Sequence, residues 1–143
     1  SLTDILAHLD IIKENTYAYL ILDDLNNLVR GGRLTNGAAL IGGLLKTKPI
    51  LTFDEGKIVL HEKVRSSKKA FNRAEDIIGQ READIAYPVK FYVIHANNLA
   101  VAEEEKEKLQ VKYPNADIEI GHFGPVIGSH LGEKAIGIAL SAQ

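Results

Sequence analysis

"KFYVIHANNLAVAEEEKEKLQVKYPNADIEIGH", residues 90–122, contains three elements in succession. "KFYVIHA" is a short run rich in β-branched and aromatic residues, the composition of a strand. "NLAVAEEEKEKLQVKY" reads as a helix whose "EEEKEK" run forms a solvated face, with Glu104 and Lys108 paired at four-residue spacing. "ADIEIGH" is a strand again. Strand, helix, strand is the alternation of an α/β fold.

The alternation extends upstream. "LTDILAHLDIIKENT" places Ile5, Leu9 and Ile12 on one helical face, with Thr3 or Asp4 as cap. "YAYLILDD" is a near-continuous apolar run, as in a buried strand. A short helix around "DLNNLVR" is stopped by Gly31 and Gly32, and "TNGAALIGGLLKTKP" is a helix that must close before Pro49. "PILTFD" and "KIVLHEKV", separated by Glu55 and Gly56, predict a hairpin. "SSKKAFNRAEDIIGQ" is an amphipathic helix capped by Ser66 or Ser67, with Ala70, Phe71, Ala74, Ile77 and Ile78 as its buried stripe. "KAIGIALSA" is the last strand. The expectation is one domain over residues 1–143, an α/β fold with a mixed sheet flanked by helices.

The totals narrow the function. The chain has 143 residues, 45% of them hydrophobic and 25% charged, the balance of an ordinary globular domain. No apolar run approaches the ~20 residues of a membrane span. A net charge of −2 gives no basic excess for nucleic acid or an anionic membrane surface. With no cysteine there is neither disulfide nor thiolate metal site, which favours a cytoplasmic setting. No secretory signal is legible, and the start at Ser1 in a chain without methionine reads as a processed product or an excised domain.

Chemistry concentrates in "GHFGPVIGSHLGEKAIG", residues 121–137, directly after a strand, where α/β sheets bind their ligands. Pro125 suits the first position of a short helix through "PVIGSH", near which Gly128, Ser129 and His130 offer backbone and side-chain donors to an anion. The glycine spacing is not GxGxxG and no P-loop lysine follows, so nucleotide phosphate is unsupported. No HExxH-type pattern points to a metal or cofactor. Ser129 beside His130 is not a catalytic pair by adjacency, because neighbouring side chains point apart. In "DDLNNLVRGGRLT", Arg33 after Gly32 projects from a turn toward an anionic ligand or Asp23, unless it is only a solvated helix end. The smooth run "GAALIGGLLKTKPILTF" suits a core and equally an alkyl chain.

Taken together, "LDDLNNLVRGGRLTNGAALIGGLLKTKPILTFDEGKIVLHEKVRSSKKA" and "GHFGPVIGSHLGEKAIGIAL" resemble the carboxyl-terminal lobe of the DegV family of bacterial lipid-binding proteins. The resemblance runs through a "GGR" turn, an apolar helix, "KPIL", a glycine hairpin, and "GPVIG" followed by Ser and His, and spans nearly the whole chain. It implies binding of a long-chain fatty acid between two lobes and presentation of its carboxylate to a separate fatty acid kinase, with no catalysis by the carrier itself. His130, Ser129 and Gly128, with Gly32 and Arg33, would then stand at the carboxylate. Leu40, Ile41, Leu44, Leu45, Ile50, Phe53 and Val126 would be candidates for the acyl tunnel. The amino-terminal lobe of such proteins, which also grips the carboxylate, is absent here, so exposed tunnel residues are expected to favour self-association. The rival reading is a small α/β hydrolase or transferase using His130 or His122 with an acidic partner such as Asp23.

Overall fold

The computed structural model describes residues 16–32, 34, 47–86 and 88–142. Among them lie β1 (Thr16–Ile21), α1 (Asn26–Arg30), β2 (Lys48–Asp54), β3 (Lys57–Val64), α2 (Ser67–Ala83), β4 (Val89–His95), α3 (Leu99–Lys112), β5 (Ile118–His122), α4 (Pro125–Leu131) and β6 (Ile136–Ala142). The helices read at residues 1–15 and 35–47 fall largely outside the described residues, as do Arg33, Leu40, Ile41, Leu44 and Leu45.

The six strands form one sheet in the order β3-β2-β1-β6-β4-β5. β4 and β5 are parallel, joined through α3, and the other pairs are antiparallel. The sheet is therefore mixed, as the alternation in the sequence requires. Glu55 and Gly56 both take positive φ, 51° and 78°, the geometry that turns a two-residue hairpin with the strand twist.

Because side chains alternate across a strand, each strand feeds two cores. Tyr19, Ile21, Ile50, Phe91, Val93, Ile136, Ile138 and Leu140 face α2 and α3, which contribute Ala70, Ala74, Ile77, Ile78, Ala102 and Leu109. Leu20, Leu22 and Leu51 face the other way, onto Leu28 of α1 and Leu131 of α4. Burying one such side chain fully is worth about 1.5–3 kcal/mol, so both layers hold the sheet.

α2 begins where its cap predicts: Ser66 Oγ accepts from the Lys69 N–H at 3.2 Å. Its buried stripe contains Ala70, Ala74, Ile77 and Ile78, with Phe71 only partly covered and Glu75 added. The "EEEKEK" run departs from a fully solvated face. Glu105 is buried, and Lys108 Nζ lies 3.3 Å from Glu75 Oε2 and 3.5 Å from Glu105 Oε2. The Glu104 pairing is thus replaced by contacts with two carboxylates under the helix seam, whose need for a countercharge exceeds that of an exposed Glu104. No helix among the described residues is long and apolar enough to cross a membrane.

Candidate functional site

The glycine-rich stretch forms α4, with Gly124 as N-cap and Pro125 in the first turn. Gly132 ends it at φ 85°, and a β-carbon there would stand 2.6 Å from Asn27 Nδ2 of α1. This glycine lets the two short helices of this face close against each other. Gly137 on β6 serves the same layer, since a β-carbon would meet Phe123 at 3.1 Å and Leu20 at 3.3 Å.

Residues four apart on α4 share a face, so Val126 and His130 project together, beside Ile127 and Leu131. They line a cavity of about 260 Å³ with Phe53, Gly56 and Ile58 of the β2–β3 hairpin. Val126 is 71%, Ile127 53% and Phe53 48% exposed, whereas Leu131 is buried. Large apolar side chains left open in one cluster mark a surface built to be covered.

The segment after the "GGR" turn reaches a residue of the cavity wall from far away in sequence. Gly32, at φ 65°, ends the α1 segment; two residues on, Leu34 bridges Ile58 in parallel register. Leu34 and Leu131, the neighbour of His130, thereby share one buried layer with Ile58. Arg33 lies between Gly32 and Leu34 in the chain but outside the described residues.

His130 is half-buried in the last turn of α4, and among the described residues no side chain hydrogen-bonds to it. Ser129 is exposed, and its hydroxyl donates to the Val126 carbonyl at 2.8 Å. The hydroxyl hydrogen is therefore committed to the helix backbone, which leaves the oxygen as an acceptor. The Gly128 N–H likewise donates to the Gly124 carbonyl at 2.8 Å. Of the three residues grouped there by sequence, His130 alone has its donor capacity uncommitted among the described residues.

Ile50 stands apart from the rest of the apolar candidates. It is fully buried among Tyr19, Ile77 and Ile78, on the α2 face of the sheet. Phe53, three residues on, faces the opposite layer by simple alternation, and the register shift beside Ile50 places its extra residue on β3. Phe53 and Val126 both line the cavity.

His122 is not brought to His130. Alternation along β5 sets it on the side of Ile118 and Ile120, and its ring lies 6.5 Å from that of His95. His95 Nδ1 accepts the Asn98 N–H at 3.0 Å, which fixes the proton of the neutral ring on Nε2. Asp23 is exposed in the turn after β1. Among the described residues no group of three or more His, Asp or Glu could hold a metal ion. Reasoning from sequence missed Ile58, Ile127 and Leu131 as lining residues; the signal available was Ile127 beside Val126 on a helix opened by proline.

A family model described as "Uncharacterised protein, DegV family" matches residues 1–143. The DegV domain-containing protein lmo2514 of Listeria monocytogenes is 50% identical over 142 residues, covering 99% of this chain and 50% of the relative. The crystal structure of the fatty acid binding DegV family protein SAG1342 from Streptococcus agalactiae superposes with a TM-score of 0.85 at 38% identity, over 100% of this chain and 50% of that one. The structure of DegV, a fatty acid binding protein from Bacillus subtilis, gives 0.78 at 43% identity with the same coverage. The chain spans about half the length of the curated relatives it matches.

Proposed function

The chain belongs to the DegV family, and from that premise we propose that it is one lobe of a long-chain fatty-acid carrier, with the ligand head group beside His130. The observation that carries this reading is the open apolar cluster of Val126, Ile127 and Phe53 around a histidine with no internal partner among the described residues. An alkyl chain laid on that cluster gains ~0.8 kcal/mol for each CH₂ it removes from water. A carboxylate beside it would be costly without donors, and the His130 ring supplies one. By the resemblance Gly32 and Arg33 would join the head group, and Leu40, Ile41, Leu44 and Leu45 belong to the segment between that turn and β2. Tail burial drives binding, and the head group fixes register.

In this reading the lobe performs no chemistry of its own. The exposed cavity mouth hands the carboxylate to a separate fatty acid kinase, in keeping with the resemblance noted in the sequence. Half of the site comes from an amino-terminal lobe, so retention by the chain alone is weaker than by the two lobes together.

Solvent extraction followed by mass spectrometry tests this. The purified chain is compared with the same chain joined to the amino-terminal half of a DegV relative. Long-chain fatty acid near one equivalent in the two-lobe form, reduced by His130→Ala, is the expected result. An empty extract from the two-lobe form, or turnover of an acyl ester abolished by His130→Ala, overturns the carrier reading.

A further inference from the structure

Across the sheet from the cavity, α2 and α3 bring two glutamates face to face. The side chains of Glu75 and Glu105 are 4% and 3% exposed. Lys108 Nζ approaches both, and Lys112 Nζ lies 3.7 Å from Glu75 Oε1 while also pairing with Asp76. Even so, among the described residues neither Glu75 Oε2, whose contact with Lys108 is an ion pair without hydrogen-bond geometry, nor Glu105 Oε1 accepts a hydrogen bond. Both lysines are partly open to water, so their compensation of two buried charges is incomplete.

Ionised carboxylates only accept hydrogen bonds, so neither glutamate can satisfy the other while both are charged. A single proton alters both at once. It turns one orphaned oxygen into a donor and gives the other its partner, and it removes one of two like charges held side by side. Among the described residues the surroundings supply no substitute. The sheet beneath presents Phe91, Val93, Ile118 and Ile120, and Phe71, Val101 and Val111 flank the groove above. The other charged groups facing the groove are Glu104, Glu107, Lys108 and Lys112. Asp76 on α2 is engaged with Lys112, and the Tyr113 hydroxyl donates to the Glu75 carbonyl at 3.0 Å.

We propose that Glu75 and Glu105 share one proton at neutral pH and that this proton latches α3 onto α2. Burial, reinforced by the facing Glu75, pushes the Glu105 carboxyl from the ordinary 4.5 up to about 9, in the direction this geometry demands. The folded seam therefore holds a proton that the unfolded chain releases. Its stabilisation is complete below the ordinary value, declines as pH rises, and is gone above the folded value. None of this depends on the fatty-acid reading.

Thermal melting of the chain between about pH 6 and pH 10 tests the latch, with Glu105→Gln and the exposed Glu104→Gln as comparators. An amide at position 105 supplies an N–H to Glu75 at every pH. The wild-type midpoint should fall across that range, while Glu105→Gln follows a flatter curve and melts about 4 °C or more above wild type at the alkaline end. The histidines are common to all three proteins and cancel in the differences. Parallel curves for wild type and Glu105→Gln, or an equal effect of Glu104→Gln, would overturn the proposal. If Glu105→Gln does not fold, carbon-13 spectra of glutamate carboxyls in the wild type decide. A resonance with its midpoint above pH 7 supports the shared proton, and midpoints that all lie below pH 6 refute it.

Discussion

A β-carbon on Gly79 would collide with the Tyr113 side chain, whose hydroxyl donates to the Glu75 carbonyl one helical turn earlier. The α2–α3 contact is therefore built on the absence of a side chain at position 79. Gly79→Ala adds helix propensity worth about 1 kcal/mol, yet forces the ring out of its seat at a cost of about 1–3 kcal/mol. Chemical denaturation should show net loss of stability. Tyr113→Phe should cost only about 0.5–1.5 kcal/mol, since the Glu75 carbonyl retains the helix as a donor source.

Ile50 and Phe53 lie three residues apart on β2 and were grouped together as tunnel candidates, but their environments differ. Ile50→Ala opens a void beneath α2 and should destabilise by about 2–5 kcal/mol. Phe53 is half exposed, so Phe53→Ala should cost far less stability and instead lower fatty-acid retention in the two-lobe protein. Denaturation curves for the two variants, read beside solvent extracts, separate core from site.

Val126 and Ile127 form the most open apolar pair on α4. In the isolated chain this pair should drive self-association, and Val126→Ser together with Ile127→Ser should abolish it with little change in melting temperature. Light scattering across a concentration series provides the measurement.

Gly132 faces Asn27 at the junction of α1 and α4. Gly132→Ala combines a positive φ with a close contact and should destabilise by more than about 1 kcal/mol. Gly128→Ala meets only ordinary contacts near 4 Å and should be tolerated. Equal effects at the two glycines would contradict the geometry of α4.

His130→Gln retains a donor and His130→Ala does not. Loss of a hydrogen bond to a carboxylate is worth about 1.5–3 kcal/mol, so the alanine variant should release fatty acid with roughly 10-fold or greater loss of affinity, and the glutamine variant with less. Competition with a fluorescent fatty acid in the two-lobe protein measures both.

The periodicity of the sequence made the elements legible, because alternation on strands and caps such as Ser66 are local signals. The Glu55–Gly56 turn was equally clear, since positive φ at two successive positions restricts the residue choice. The buried partner of Lys108 was not legible: a glutamate in a run of charges looks solvated until another helix covers it, and that covering is a tertiary fact. The separation of Ile50 from Phe53 was legible in principle, since residues three apart on a strand point to opposite faces, and the register shift there places its extra residue on β3 and leaves the alternation of β2 intact. His130 and the "GGR" turn carried a family likeness, but the bridge from Leu34 to Ile58 in the cavity wall is one that no local pattern announces.

β6 lies between β1 and β4, pairing Thr16 with Ser141 on one side and His95 with Ile136 on the other. During synthesis the β1–β2–β3 and β4–β5 portions can each pair locally, yet they have no common edge until β6 emerges. The central closure brings together residues 125 positions apart, and contacts of that sequence separation slow folding. Assembly of the sheet therefore waits on a strand that follows the other five in the chain, and until it is made the β1 and β4 edges stand open to improper pairing.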